Sequence, residues 1–389
     1  MRDFTFQNET KIIFGRGVEE KTGEEVKEFA DKVLFLYGGG SIKDHGIYDK
    51  VMDSLDNAGI EAVELGGVQP NPRLSLVKEG IDICRKEGIE FILAVGGGSV
   101  IDTAKAISIG VPYEGDVWDF YGGDKEVEEA LPTGVVLTIP AAGSESSPGS
   151  VITKEEGGYK RDVGSDKIRP KFAILNPEFN FTLPEFQTAA GAADIMAHVM
   201  ERYFTQEPEV GFTDRLCEAT LRTIIKNTPI ALEEPENYGA RAQITWASTV
   251  AHNDLLGTGR EEDWASHNIE HELSGMYDVT HGAGLAIIFP AWMKYVHEEN
   301  LERFAQFTTR VWNEEADFHS LERTATEGIE RLESFFQKIG LPTRLADLDV
   351  EVTEADLVEM ADKCTEGGPV GNFVELDRDD VLEIYRISR

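Results

Sequence analysis

Short apolar runs alternate with amphipathic stretches along the first 180 residues. KVLFLY (32–37), EAVEL (61–65), EFILAV (90–95), GVVLTIP (134–140) and FAILNP (172–177) are rich in β-branched and aromatic residues and end in Gly, Pro or Asn. Runs of that length and make-up predict strands. Between them lie IYDKVMDSLDNAG (47–59), the stretch near 73–87 after the PNP turn, and IDTAKAISIG (101–110), each with helical spacing. Strands alternating with helices of this size predict βαβ units and a parallel sheet. VITKEEGGYKRDVG (151–164) reads as a hairpin turning at Gly157–Gly158.

The pattern changes near Asn176–Pro177. From about residue 183 only helical periodicity remains, broken at Glu207–Pro208, Gly257–Gly259 and Gly340–Leu341–Pro342. The chain is therefore expected to hold an α/β domain with a parallel sheet over 1–180 and an all-α domain over 181–389. No tandem repeat or low-complexity tract interrupts this plan. The nearest approach to repetition is a pair of GGGS loops, at 38–41 and 96–99, each closing a predicted strand.

Composition narrows the function classes. The chain has 389 residues, 41% hydrophobic and 28% charged, as in ordinary globular proteins. No apolar run approaches the ~20 residues that cross a bilayer. The opening MRDFTFQNETKIIFG lacks the apolar core of a secretory signal. Cys84, Cys217 and Cys364 are scattered and odd in number, which fits reduced thiols in a cytoplasmic protein. The 72 acidic residues against 37 basic ones give a formal charge of −35. Such a balance argues against nucleic acid and anionic membranes as partners and for a heavily solvated surface.

FILAVGGGSVIDTAKA puts three glycines and a serine between a buried strand and a helix. Glycines let backbone N–H groups approach an anion, and the helix start adds its positive end. Ser99 is expected to cap the helix, with Asp102 completing a capping box. The loop reads as a pyrophosphate cradle; the plainer alternative is a tight turn that merely needs glycine. It is not the G-x-G-x-x-G fingerprint, because Ile101 stands where the third glycine belongs.

The chain has only eight histidines, and three fall in SHNIEHELSGMYDVTH (266–281). His267 and His271 are i,i+4, so they leave one helix face, and His281 follows after a short connection. In QTAAGAADIMAHVMERYF (187–204), Asp194 and His198 are also i,i+4. A carboxylate and several imidazoles in a helical domain suit a first-row divalent metal such as Fe²⁺ or Zn²⁺. The alternative is a set of ordinary polar histidines, which the clustering disfavours. Asn268 rather than Glu follows His267, so the metalloprotease H-E-x-x-H helix is absent. Spacing alone leaves two ligand sets open: His267 with His271, or His267 with His281 and His271 behind them.

These segments, in this order, resemble the iron-containing (group III) alcohol dehydrogenase family and its butanol dehydrogenase-like branch. The likeness runs from NETKIIFGRG through YGGGSIKDHGIYDKV, QPNPR, AVGGGSVIDTAKAI, TIPAAGSE, KIRPKFAILNP and AADIMAHVMERY to REEDWASHNIEHELSGMYDVTHGAGLAIIFPAWM. The resemblance implies the dehydroquinate synthase-like fold, with 1–180 as a Rossmann-like dinucleotide-binding domain and 181–389 as a helical metal-binding and substrate domain, a homodimer, and metal ligands at Asp194, His198, His267 and His281. It puts His271 beside the nicotinamide as a proton relay. It assigns cofactor contacts to Gly38, Gly39, Ser41, Asn71, Gly97, Gly98, Ser99, Asp102, Thr138 and Lys160. Ala142 departs from the family pattern, where many relatives carry a hydroxyl residue.

The expected reaction is hydride transfer between a nicotinamide and a short aliphatic alcohol or aldehyde such as butanol or butanal, in a cleft between the domains. Trp264, Met276, Tyr277 and Phe289 supply an apolar neighbourhood for such a substrate, though aromatics of this kind more often belong to a core. NADP(H) is favoured over NAD(H): the strand KVLFLY ends in three glycines with no carboxylate before Asp44, and Lys43 is placed to offset a 2′-phosphate. Two rival readings are a metal-dependent lyase of the dehydroquinate synthase type, which calls for a basic pocket, and a nucleotide-binding regulatory protein with an inactive site.

Overall fold

Six parallel strands form the sheet at the centre of the first unit, in the order β1-β8-β5-β4-β2-β3. They are β1 (Lys11–Phe14), β2 (Lys32–Tyr37), β3 (Glu61–Leu65), β4 (Phe91–Gly96), β5 (Thr133–Leu137) and β8 (Phe172–Leu175). β6 (Gly149–Lys154) and β7 (Tyr159–Gly164) make a separate antiparallel hairpin. This computed structural model describes residues 1–123 and 125–389. The first unit comprises residues 7–183 with 235–245; the second comprises 1–6, 184–234 and 246–389.

The central strands are apolar at nearly every position because helices cover both faces of the sheet. Leu34, Leu36, Ile92 and Ala94 pack with Val77 and Ile81 of helix Leu74–Glu87 and with Ala104 and Ile107 of helix Gly98–Gly110. Val33, Phe35, Leu93 and Val95 point the other way, onto Val51 and Leu55 of helix Ile47–Asn57. β1 was not among the predicted strands. It is a four-residue edge strand with exposed ends, so its apolar signal is only Ile12, Ile13 and Phe14.

Topology brings the two glycine loops together. β2 and β4 are neighbours, with Tyr37 beside Val95. From β2 the chain runs outward to β3, whereas from β4 it runs the opposite way to β5. The loops at 38–41 and 96–99 thus leave adjacent carboxyl ends in diverging directions. Open α/β sheets bind ligands at such a switch point.

Among the described residues, the second unit contains helices and no strand, with one isolated bridge at Val370–Leu376. Helix Glu185–Tyr203 is buried continuously from Thr188 onward and packs on helix His281–Val296. Helix His281–Val296 is apolar around nearly its whole circumference, as a helix enclosed by others must be. Its opening His-Gly-Ala-Gly has a packing reason. A Cβ on Gly282 would stand 2.0 Å from the Ala190 carbonyl oxygen. Only glycine lets the His281 end come this close to the helix that carries Asp194.

Candidate metal centre and cofactor loops

Asp194, His267 and His281 converge: one ligand atom from each lies within 4.8 Å of the others. His281 Nε2 is 4.0 Å from Asp194 Oδ1. His198 stands against them, its Nδ1 3.3 Å from His267 Nε2 and 3.0 Å from Asp194 Oδ1. Asp194, His198 and His267 are buried, and His281 is partly open. Two ring nitrogens at 3.3 Å beside a carboxylate oxygen form a lone-pair-rich pocket that a divalent cation fits. Burial, then the neighbouring charges of His198, His281, His271 and His252, lowers the His267 pKa well below the usual imidazole range. A neutral ring is the form that binds a metal.

Of the two ligand sets left open by spacing, His267 with His281 is the one that meets Asp194. His271 is buried, its ring 6.5 Å from that of His267 and 5.6 Å from that of His281. It also groups with Glu270 and His281 in a second set of possible ligand atoms, so it flanks the centre.

Sequence reasoning missed the carboxylates behind the imidazoles. Glu201 is fully buried, and its Oε1 accepts from His267 Nδ1 at 2.7 Å and from the His267 backbone N–H at 3.1 Å. Its Oε2 accepts from the Trp264 N–H at 2.8 Å. Burial and the Asp263 charge push the Glu201 carboxyl well above the usual range, and the two backbone N–H groups pull it back. Glu270 pairs in the same manner with His281 Nδ1 and takes the Ser274 hydroxyl on its other oxygen. Each carboxylate holds the ring proton on Nδ1 and leaves the Nε2 lone pair for the centre. His252 was missed as well; its ring lies 4.4 Å from that of His198. The available signals were Glu201 at i+3 from His198 and Glu270 directly before His271.

Trp264 adopts a left-handed backbone, φ 68°, as the residue capping helix Ala265–Tyr277. A large side chain rarely sits there, and such strain collects at functional sites. Its indole packs edge-on against His198 and His267 at 5.7 and 5.0 Å. Phe289, by contrast, belongs to the core, fully buried against Phe204 and Trp292.

In the first unit, the loop after β4 departs from the expected capping. Helix Gly98–Gly110 is capped by Gly97, with no side-chain bond. Ser99 is already inside the helix, and Asp102 falls two residues past the capping-box position. Instead the Asp102 carboxylate accepts from Ser144 Oγ at 2.6 Å and from the Val151 N–H at 3.1 Å, tying this helix to the hairpin that carries Lys160. Burial raises the Asp102 pKa, and Lys105 opposes it. Tertiary partners thus outcompeted the local cap.

A Cβ on Gly97 would press on Ile139 at 2.9 Å, so that glycine also serves packing, whereas one on Gly39 would meet nothing. The Gly39 loop is the more open face toward a ligand. Asn71, in the PNP turn, is buried and left-handed at φ 51°, which Asn tolerates better than most residues. Thr138 is buried, its N–H bonded to the Gly96 carbonyl, and Lys160 is buried on β7.

A sequence model described as "Iron-containing alcohol dehydrogenase" matches residues 9–177, and one for "Fe-containing alcohol dehydrogenase family, C-terminal" matches 188–388. The chain belongs to the iron-containing alcohol dehydrogenase family. It is 45% identical over 388 residues to the probable NADH-dependent butanol dehydrogenase 1 of Bacillus subtilis, and the match covers 100% of both chains. It is 38% identical over 396 residues to the NADPH-dependent aldehyde reductase YqhD of Escherichia coli, again covering 100% of both. Among solved structures, the NADH-dependent butanol dehydrogenase A of Thermotoga maritima superimposes with a TM-score of 0.95 at 44% identity, covering 100% of this chain and 99% of that one.

Membership makes the chain an alcohol or aldehyde oxidoreductase and bears out the expected fold, a parallel α/β sheet followed by a helical part. No helix among the described residues is long and apolar enough to cross a membrane.

Proposed function

We propose that this enzyme reduces short aliphatic aldehydes such as butanal with a reduced nicotinamide, at a divalent iron held by Asp194, His198, His267 and His281. The observation carrying the reading is the convergence of Asp194, His267 and His281 within 4.8 Å, with buried carboxylates behind two of the rings. One carboxylate and three imidazoles suit iron, and zinc is the alternative metal. When bound, the cation polarises the substrate carbonyl.

The chain's own residues do the rest. Glu201 and Glu270 fix the orientation of His267 and His281. Asp102 ties the helix behind the second glycine loop to the hairpin of Lys160. Gly38, Gly39, Ser41, Asn71, Gly97, Gly98, Ser99, Thr138 and Lys160 are proposed to hold the dinucleotide, by resemblance and by their place at the switch point. A bound nicotinamide would supply hydride to the carbonyl carbon while the carbonyl oxygen takes a proton, so that aldehyde, reduced cofactor and proton would give alcohol and oxidised cofactor. His271 flanks the centre and is proposed to deliver that proton. A cytoplasmic homodimer completes the reading.

The expected preference for NADP(H) rested on three glycines with no carboxylate before Asp44 and on a Lys43 placed to offset a 2′-phosphate. Lys43 Nζ instead lies 3.0 Å from Tyr37 Oη and 3.3 Å from Glu64 Oε2, over the Tyr37 and Tyr48 rings. Hydrogen bonds from Tyr48, then Lys43 and Tyr37, hold the Glu64 carboxyl below its usual range, so it is charged and already offsets the lysine. NADH is the cofactor we favour, in line with the Bacillus and Thermotoga relatives, which are NADH-dependent butanol dehydrogenases by name. A scan of aldehydes with NADH and NADPH, with and without iron, tests the proposal. Metal-dependent butanal reduction supports it, and turnover confined to a carbon–oxygen elimination would favour the lyase.

A further inference from the structure

We propose that a recess in the second unit, walled by helices Gly211–Glu233 and Leu301–Val311, binds a phosphate group, either free phosphate or a phosphate monoester. The recess is about 550 Å³ and is lined by Arg215, Glu218, Ala219, Arg222, Thr309 and Arg310. Arg215 and Arg222 are seven residues apart, hence two turns along one helix face, and Arg310 faces them from the other helix.

The arginines are positioned rather than consumed. Glu218, only 5% exposed, is the one carboxylate of the lining. It holds Arg310 Nη1 at 3.2 Å and Arg215 Nη1 at 3.4 Å, and it also accepts from Tyr203 Oη at 3.2 Å. These are long contacts that leave most of each guanidinium's five donors free for a ligand. Arg222 has no carboxylate partner among the described residues; its Nη1 reaches only the Arg310 carbonyl at 3.4 Å. Asp214, the neighbour of Arg215, is turned away to Arg260 and Arg303 at 2.9 and 2.8 Å. Three guanidinium groups against one carboxylate leave two net positive charges, which match a dianionic phosphate.

The setting sharpens the inference. In a chain of net charge −35, converging cations run against the background. At physiological ionic strength charges are screened beyond roughly 8 Å, so the local pair of charges, not the distant acids, governs binding here. Guanidinium forks match phosphate oxygens two at a time. A volume of about 550 Å³ is in the range of small-molecule sites, with room for the organic part of a monoester.

The test is calorimetric titration of the full-length, metal-loaded enzyme saturated with NADH, which fills the cofactor's own phosphate contacts. The probes are inorganic phosphate and phenyl phosphate. Saturable binding of one equivalent per chain is expected. Arg222→Gln and Arg215→Gln, both at exposed positions, should each weaken it about tenfold, the worth of one charge-assisted hydrogen bond, while KM for NADH stays unchanged. Tighter phosphate than phenyl phosphate identifies the free ion as ligand, and the reverse identifies a monoester. No saturable binding of either probe, or wild-type affinity in both variants, overturns the proposal.

Discussion

Glu201→Gln is the sharpest local perturbation of the metal centre, because it keeps size and removes only acceptor capacity. Glu201 accepts three hydrogen bonds, from His267 Nδ1, the His267 N–H and the Trp264 N–H. A glutamine has one acceptor oxygen. If that oxygen serves His267, the new NH₂ group faces the Trp264 N–H donor to donor; turned the other way, it faces His267 Nδ1. In both arrangements a buried or partly buried donor loses its partner, which costs about 1–3 kcal/mol where burial is complete. The second orientation also releases the His267 ring from the tautomer that binds metal. Loss of such a carboxylate partner weakens metal affinity about 10–100-fold, or about 1.4–2.8 kcal/mol. The assay is competition for iron between the protein and a chelator of known affinity, beside a chemical denaturation curve of the metal-free form. Iron affinity within about twofold of wild type would refute the reasoning, provided that His267→Ala does lose the metal.

His271→Ala should keep stoichiometric iron while kcat for butanal falls about 10²–10⁴-fold, as loss of a proton-transfer group does; loss of iron instead would make His271 a ligand. Glu64→Gln should uncover the Lys43 charge and raise the NADPH-to-NADH ratio of kcat/KM, and an unchanged ratio would remove Lys43 from cofactor selection. Burial raises the Asp263 pKa from 3.8 to about 6, so the folded state holds this proton more tightly than the unfolded chain. Its stabilising contribution is complete below the unfolded pKa and is lost as pH rises through about 6. Asp263→Asn, which cannot ionise, should therefore gain on wild type in urea denaturation as pH climbs from about 4 to about 7, and a difference independent of pH would contradict this.

Much of the fold was legible because its signals are local. The central strands read as unbroken apolar runs since helices cover both faces, and the Gly157–Gly158 turn announced the β6–β7 hairpin. What escaped was decided by partners far away in sequence. β1 is a strand because β8 pairs with it. Asp102 looked like a cap residue, yet Ser144 and Val151 claim its carboxylate. The imidazoles of the site were legible from their spacing. Glu201 and Glu270 were not, because nothing in a sequence marks which glutamate will be buried behind a histidine. The partner of Lys43 was hidden for the same reason: Glu64, on the neighbouring strand, lies within reach of its ammonium group.

The central claim is that one metal ion, held by Asp194, His198, His267 and His281, is required for hydride transfer to an aldehyde. Anaerobic titration of metal-free protein with Fe²⁺, following NADH oxidation in the presence of butanal, tests it most directly. Activity should rise linearly and break at one iron per chain, and His267→Ala should show neither the break nor the activity. Full turnover before any iron is added, or an undiminished His267→Ala enzyme, would contradict the account.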